Sequence, residues 1–445
     1  MSAHASSDAL VVNGRNVPYA DLLKSCEAMA DQLARIPLPK GSVVSFDGGY
    51  TPESAALFLA LMLRENILVP LTGESRGQHF QFCQMAQTEH HISLENGAPS
   101  LASTGRSANH PHYGELRRRG SPGLVLFSSG STGTPKGIVQ DLEQLMVKFQ
   151  TSRKPWRMLI FMQLDHIGGI NSFLHSLSSG GTVIVPRDRS PNGICTAIES
   201  HRAELLPTSP TFLNLLLLSR AYENHDLSSL RLVTYGTEPM PPSTLERFNA
   251  LFPQVILQQT YGTSELGILR SRSRRSDSPW VRVGGDEFQV KVVEDRLWIK
   301  SRCAMLGYLN EPSPFDEEGF LDTGDLVEQD GPWLRILGRQ SEVINVGGLK
   351  VFPAEVENVL LEMTGVEDAV VYGEPHALTG NTVAAKVKLS RDETLKDFKG
   401  RMRRFMKDRL PPHKVPARVI VTGEPLHGER FKRQRQTSPS GCSVP

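Results

Sequence analysis

Between Leu124 and Gln140 the chain reads LVLFSSGSTGTPKGIVQ, a concentration of residue types suited to holding phosphate. Gly130, Gly133 and Gly137 let the backbone approach an anion closely, and successive N–H groups in such a turn form a concave nest of donors. Ser128, Ser129, Ser131, Thr132 and Thr134 add hydroxyls, and Lys136 adds an ammonium. The spacing is not that of a Walker loop. Counted from Gly130, Pro135 and Lys136 stand where that template has Gly and Lys, and Gly137 replaces its Ser/Thr. The same composition also makes plain turns and linkers. The β-prone run from Leu124 to Phe127 and the lone lysine inside the loop favour an anion site.

SSGSTGTPKG resembles the phosphate loop of the adenylate-forming superfamily, which holds acyl- and aryl-CoA ligases, peptide-synthetase adenylation domains and beetle luciferases. That family joins a carboxylate to ATP, releasing pyrophosphate, and then usually passes the acyl group to a thiol. Further boxes follow in family order. Gly236, Thr237, Glu238 and Pro239 match the adenine-cradling turn. Tyr261, Gly262, Thr263, Ser264 and Glu265 resemble Y-G-x-T-E, with Ser264 keeping the hydroxyl of the commoner Thr. The resemblance implies that Tyr261 stacks on adenine, Ser264 meets the α-phosphate and Glu265 holds Mg²⁺, a cation that prefers one or two carboxylates plus phosphate oxygens. Asp325, in Leu321 to Asp325 (LDTGD), and Arg339, after Gly338, are implied to take the ribose hydroxyls. Without the resemblance, YGTSE reads as a strand-end turn with a surface carboxylate and DTGD as a tight turn.

The resemblance also places an acid pocket beside Asp165, His166, Gly169, Tyr235 and Gly236. His166 stands where many acyl- and aryl-CoA ligases carry a histidine, which argues against an α-amino acid substrate. Asp165 could read an amine or hydroxyl on an aryl acid, and the alternative for both His166 and Asp165 is a cap on the Ile-Gly-Gly turn that follows. Val346 to Glu357 (VGGLKVFPAEVE) resembles the element that follows the family's hinge, making Gly347 and Gly348 candidates for a thiol channel, and also a turn before a helix. Ser341 occupies the hinge position, where Asp or Lys is commoner. The family's terminal Gly-Lys is missing from PLHGERFK, residues 425–432. Lys432 or Arg430 is a candidate substitute after a local shift, the alternative being a solvated basic tail, and aligning R-F-K puts His427 at the lysine's place.

These motifs need strands to carry them. Ser42 to Phe46, a helix over Ala55 to Leu63 opened by Thr51 and Pro52, and Ile67 to Leu71 predict a strand–helix–strand unit and a parallel sheet. Residues 90–122 read as surface connection. Met158 to Gln163, Thr182 to Val185, Leu230 to Tyr235 and Val255 to Gln259 read as strands, with helices over Thr211 to Tyr222 and Ser243 to Leu251 between them. Ligands collect at strand ends in such sheets. From about 340 the pattern changes to helix, strands, basic helix, strand. The expected fold class is therefore α/β: a large N-terminal domain (1–338) of mostly parallel sheets flanked by helices, and a small mobile C-terminal α+β domain (339–445).

At 445 residues, 49 Lys and Arg against 48 Asp and Glu give no bias towards nucleic acid or a membrane surface. Five scattered cysteines read as free thiols of a reducing compartment, and MSAHASSDAL lacks a secretory signal, so the expected location is cytoplasmic. The function expected is ATP- and Mg²⁺-dependent adenylation of a small aryl or acyl acid followed by transfer to coenzyme A. The alternatives are another acceptor or acid (a carrier-protein thiol, an amine, or nitrite adenylated to diazotise an aryl amine), or a non-catalytic nucleotide-binding homologue.

Overall fold

The computed structural model describes residues 4–128, 134–151, 153–160, 162–285, 287–428 and 433. Two seven-stranded sheets form the frame of the large lobe. In one, Asp8–Val12, Thr182–Val185, Arg157–Leu159, Leu205–Thr208, Leu232–Tyr235 and Ile256–Gln259 run parallel, with Arg15–Pro18 antiparallel at one edge. In the other, Val43–Asp47 lies parallel between Ile67–Leu71 and His90–Glu95, and Ile67–Leu71 pairs in parallel with Gly123–Ser128. The helix Pro52–Leu63 that joins the first two is capped by Thr51, whose Oγ1 accepts from the Ser54 N–H at 3.1 Å. It is apolar on most sides because it lies between layers. Phe46 under it, Phe58 on it and Phe173 from the other sheet's flanking helix meet in one core.

Residues 90–122 are not surface connection. His90–Glu95 and Ala98–Ser103 form an antiparallel hairpin, and Pro111–Arg119 is a helix. The hairpin turns on Asn96 and Gly97, with φ of 52° and 82°, the pair of left-handed residues that a two-residue turn requires. Weak hydrophobic alternation hid it, since only Ile92 of its first strand is buried. Pro111 in the first turn and Gly120 at φ 65° after the last bound the helix.

A six-stranded, wholly antiparallel sheet spans Ser271–Ser273 to Trp333–Arg339, and sequence periodicity did not resolve it. Beyond it lies a five-stranded sheet of Ile344–Val346, Leu349–Val351, Val366–His376, Gly380–Leu389 and Arg418–Val421. Helices Pro353–Leu361 and Leu395–Met406 pack on it around Val356, Phe398 and Met402. No helix among the described residues is long and apolar enough to cross a membrane.

Candidate active site

The strand Gly123–Ser128 pairs antiparallel with Lys136–Asp141, with Ser128 opposite Lys136, so both ends of the phosphate-loop sequence are rooted in the core. Ser129, Gly130, Ser131, Thr132 and Gly133 lie outside the described residues; Ser128, Thr134 and Lys136 lie within them. The exit of the turn is pinned from a distant segment. Gly307–Tyr308 pairs with the returning strand, Tyr308 opposite Ile138. The Asn310 side chain then accepts from the Gly137 N–H at 3.0 Å and donates to the Pro135 carbonyl at 2.9 Å. Sequence reading missed Tyr308 and Asn310. A Gly-Tyr-Leu-Asn run carries no mark of partners more than 170 residues away.

Tyr308 links two of the expected site residues. Its hydroxyl donates to Glu265 Oε1 at 2.8 Å, and Lys136 Nζ lies 5.1 Å from its ring centroid. Burial, then the Glu265 charge, pushes the Tyr308 phenol well above its ordinary range, so it stays a donor. Glu265 is itself fixed through its carbonyl, which accepts from Met305 N–H at 2.7 Å. No ion pair to a cationic side chain occupies Glu265 among the described residues. A partly exposed carboxylate beside phosphate-binding groups, not already neutralised, suits magnesium. The donor set fits, with phosphate oxygens supplying the remaining ligands.

A second linked set joins Tyr261, Asp325 and Arg339. Tyr261 donates through its hydroxyl to Asp325 Oδ2 at 2.5 Å, and Arg339, opposite Asp325 in the ladder, brings Nε to 3.5 Å from Oδ1. Thr323 Oγ1 accepts from the Asp325 N–H at 3.1 Å and fixes the turn. Burial and the neighbouring Asp325 charge raise the Tyr261 hydroxyl far above its usual range. Tyr261 is 8% exposed, a member of the antiparallel sheet's core, so its task here includes aiming the carboxylate.

Gly236 follows the strand Leu232–Tyr235, and a Cβ there would lie 2.8 Å from the Thr260 carbonyl oxygen; the closeness of the neighbouring strand end demands glycine. Glu238 turns back to accept from the Thr211 N–H at 2.9 Å, in the first turn of the helix Pro210–Ser219. Thr237 sits at φ 74°, and Pro239 follows Glu238 in the same turn. Tyr235 is 1% exposed and belongs to the core; its carbonyl, not its ring, meets the turn, accepting from Thr260 N–H at 2.7 Å. Gly262, Thr263 and Ser264 occupy the Tyr261–Thr263 strand and the turn after it, where Thr263 Oγ1 accepts from Leu266 N–H.

At the expected acid pocket, His166 caps the helix Ile167–Ser178: its Nδ1 accepts from the Gly168 N–H at 3.0 Å. The other ring nitrogen then carries the proton of the neutral imidazole. Asp165 is buried and accepts from Thr72 Oγ1 at 2.8 Å, a bond that ties the two sheets together. Gly169 has no room for any side chain, since a Cβ would fall 1.9 Å from the Gln163 carbonyl oxygen. Gly347 and Gly348, at φ 60° and 89°, make the two-residue turn between Val346 and Leu349, and open space lies beside Gly348. Ser341 is in a single 3₁₀ turn, Gln340–Glu342. Lys432 lies outside the described residues.

The AMP-binding enzyme family matches residues 84–309, and its C-terminal domain matches residues 355–429. The chain belongs to the AMP-binding enzyme family. Among curated members of this adenylate-forming, ligase-type family, 4-coumarate–CoA ligase 3 of Arabidopsis thaliana is 30% identical over 71% of this chain and 60% of its own length. The indoleacetate–CoA ligase of Aromatoleum aromaticum is 27% identical over 68% and 64%. The chain thus spans less than two thirds of these relatives. Among solved AMP-binding structures, an amide bond synthetase of Marinactinospora thermotolerans covers 96% of this chain and 95% of its own at 23% identity, TM-score 0.74. The o-succinylbenzoate CoA synthetase of Bacillus subtilis covers 97% and 94% at 22%, TM-score 0.75. At such identities these structures share the fold.

Proposed function

We propose that this protein adenylates a small organic acid, aryl or acyl, with ATP, releases pyrophosphate, and transfers the acyl group to coenzyme A. The observation that carries the reading is the convergence of Lys136 and Glu265 on Tyr308, beside the linked set Tyr261, Asp325 and Arg339. One set has the charges a triphosphate with its cation needs; the other offers a carboxylate to vicinal hydroxyls. Relatives named as CoA ligases support the thiol acceptor.

In this reading Lys136 neutralises phosphate oxygens, Glu265 holds Mg²⁺, Asp325 and Arg339 grip the ribose, and the turn from Gly236 to Pro239 cradles the base. Magnesium, when bound, screens the phosphate charges against the incoming carboxylate. His166 offers its protonated ring nitrogen to the acid. Residues 339–445 swing about Ser341, bringing the open side of Gly347 and Gly348 to the thiol. Lys432 supplies the cation missing from the Gly-Lys position. None of Cys26, Cys83, Cys195 and Cys303 is in a disulfide, in keeping with a cytoplasmic enzyme.

A second reading keeps adenylation and changes the acceptor to an amine or carrier thiol, or the acid to nitrite; the absent Gly-Lys pair is its motive. Pyrophosphate release across a panel of acids, with and without coenzyme A, and with nitrite plus an aryl amine, separates them. Release of AMP and pyrophosphate with an organic acid, completed by coenzyme A, is expected. Accumulation of ADP instead would overturn adenylation. Glu265→Ala is expected to lower turnover by about a thousandfold, as removal of a central charge in a closed site does.

A further inference from the structure

One aromatic ring stands against two opposite charges. Tyr308 is 8% exposed; its hydroxyl holds Glu265 and its ring lies beside the Lys136 ammonium. Although both charged groups attach to the same side chain, no ion pair joins them. The ring cannot drift away from the lysine, because Leu309 N–H donates to the Gly137 carbonyl at 2.8 Å and Asn310 clamps Pro135 and Gly137.

An unscreened ammonium and carboxylate in a partly buried cleft attract strongly. If they met, each would neutralise the other: the lysine would be lost to phosphate and the carboxylate to a cation. We propose that Tyr308 is a positioning residue that holds Lys136 and Glu265 apart, so that both stay available to the nucleotide. The inference rests on the ATP reading above and adds to it the reason why the two charges do not cancel. The ring supplies the spacing, and the hydroxyl, through one hydrogen bond, orients the carboxylate for a cation.

The test is equilibrium binding of ATP in the presence of EDTA, which reads the lysine without turnover. Tyr308→Leu removes ring and hydroxyl and is expected to weaken metal-free ATP binding by about tenfold, the value of one charge-assisted hydrogen bond. Tyr308→Phe keeps the spacer and is expected to stay within about twofold of wild type for metal-free ATP, while needing several times more Mg²⁺ for half-saturation. Tyr308→Leu combined with Glu265→Gln is expected to recover metal-free binding, because a neutral amide cannot trap the lysine. Unchanged binding in Tyr308→Leu overturns the proposal. So does equal loss in Tyr308→Phe and Tyr308→Leu, or absence of recovery in the double variant. A wild-type protein that binds no ATP overturns the nucleotide reading itself, a different result from wild-type binding with an indifferent Tyr308.

Discussion

In the proposed function Asp325 takes the ribose hydroxyls, a task that needs a carboxylate held in a fixed plane. Tyr261 fixes one oxygen through a 2.5 Å bond and Arg339 stands by the other. Tyr261→Phe leaves the ring in its core and removes only the donor. The expected outcome is a rise of about tenfold in the KM for ATP, from one hydrogen bond to a charged group, with little change in kcat. Steady-state kinetics of pyrophosphate release over a range of ATP would show it; a fall in kcat at constant KM would contradict a role confined to binding. His166 and Asp165 differ in the same spirit. The histidine's Nδ1 accepts from the Gly168 N–H at the start of its helix, whereas the aspartate accepts from Thr72 across the sheets.

Elements decide which of these residues meet. The helix Ile167–Ser178 begins at His166 in the site and ends with His175 near Phe149 and Lys148. Burial, then the charges of Arg153 and Lys148, push His175 down to about 4. A histidine depressed below its unfolded value binds its proton more readily in the unfolded chain, so stability is full above about 6.5 and falls as pH drops towards 4. The share owed to this group is roughly 2 kcal/mol after allowing for partial exposure. Urea unfolding at several pH values should show a shallower acid-side loss in His175→Gln than in wild type; parallel curves would remove the assignment. Periodicity made the parallel frame legible, because buried strands such as Ile67–Leu71 are apolar throughout. The hairpin at Asn96-Gly97 was missed with the rest of residues 90–122; its strands alternate too weakly, and the Asn-Gly pair was the signal that could have found it. The antiparallel sheet was not legible either: strands of three residues, such as Ser271–Ser273, carry too little alternation to count. The same limit hid Tyr308, whose meaning lies wholly in contacts across sheets.

At the scale of the whole molecule, the described residues join the two lobes at few places. Asn214 Nδ2 donates to the Glu367 carbonyl at 3.1 Å, and the Arg433 N–H approaches Glu238 Oε2 at 3.5 Å. Arg433 is the more consequential, because its side chain, 3% exposed, lies in the small lobe between Glu357 and Asp368. Its Nη1 donates to Glu357 Oε2 at 3.1 Å, while Glu357 Oε1 accepts from the Val371 N–H. Burial raises the Asp368 carboxyl above its usual range even with Arg433 opposing it. Removing the guanidinium leaves two buried carboxylates close together without the cation that lies between them, a change worth about 3 kcal/mol or more. Arg433→Ala should therefore destabilise the small lobe by that amount near neutral pH. Without arginine the Asp368 carboxyl, already raised by burial, holds its proton to still higher pH, so the arginine's stabilisation is present above that raised value and fades as pH falls through it. Unfolding measured at about pH 8 and again at about pH 5 should give the larger penalty at the higher pH. Arg433→Lys should restore only part of it, since an ammonium cannot serve two carboxylates with the geometry of the planar fork. A penalty of equal size at both pH values would mean that Arg433 acts through its methylenes and not through its charge.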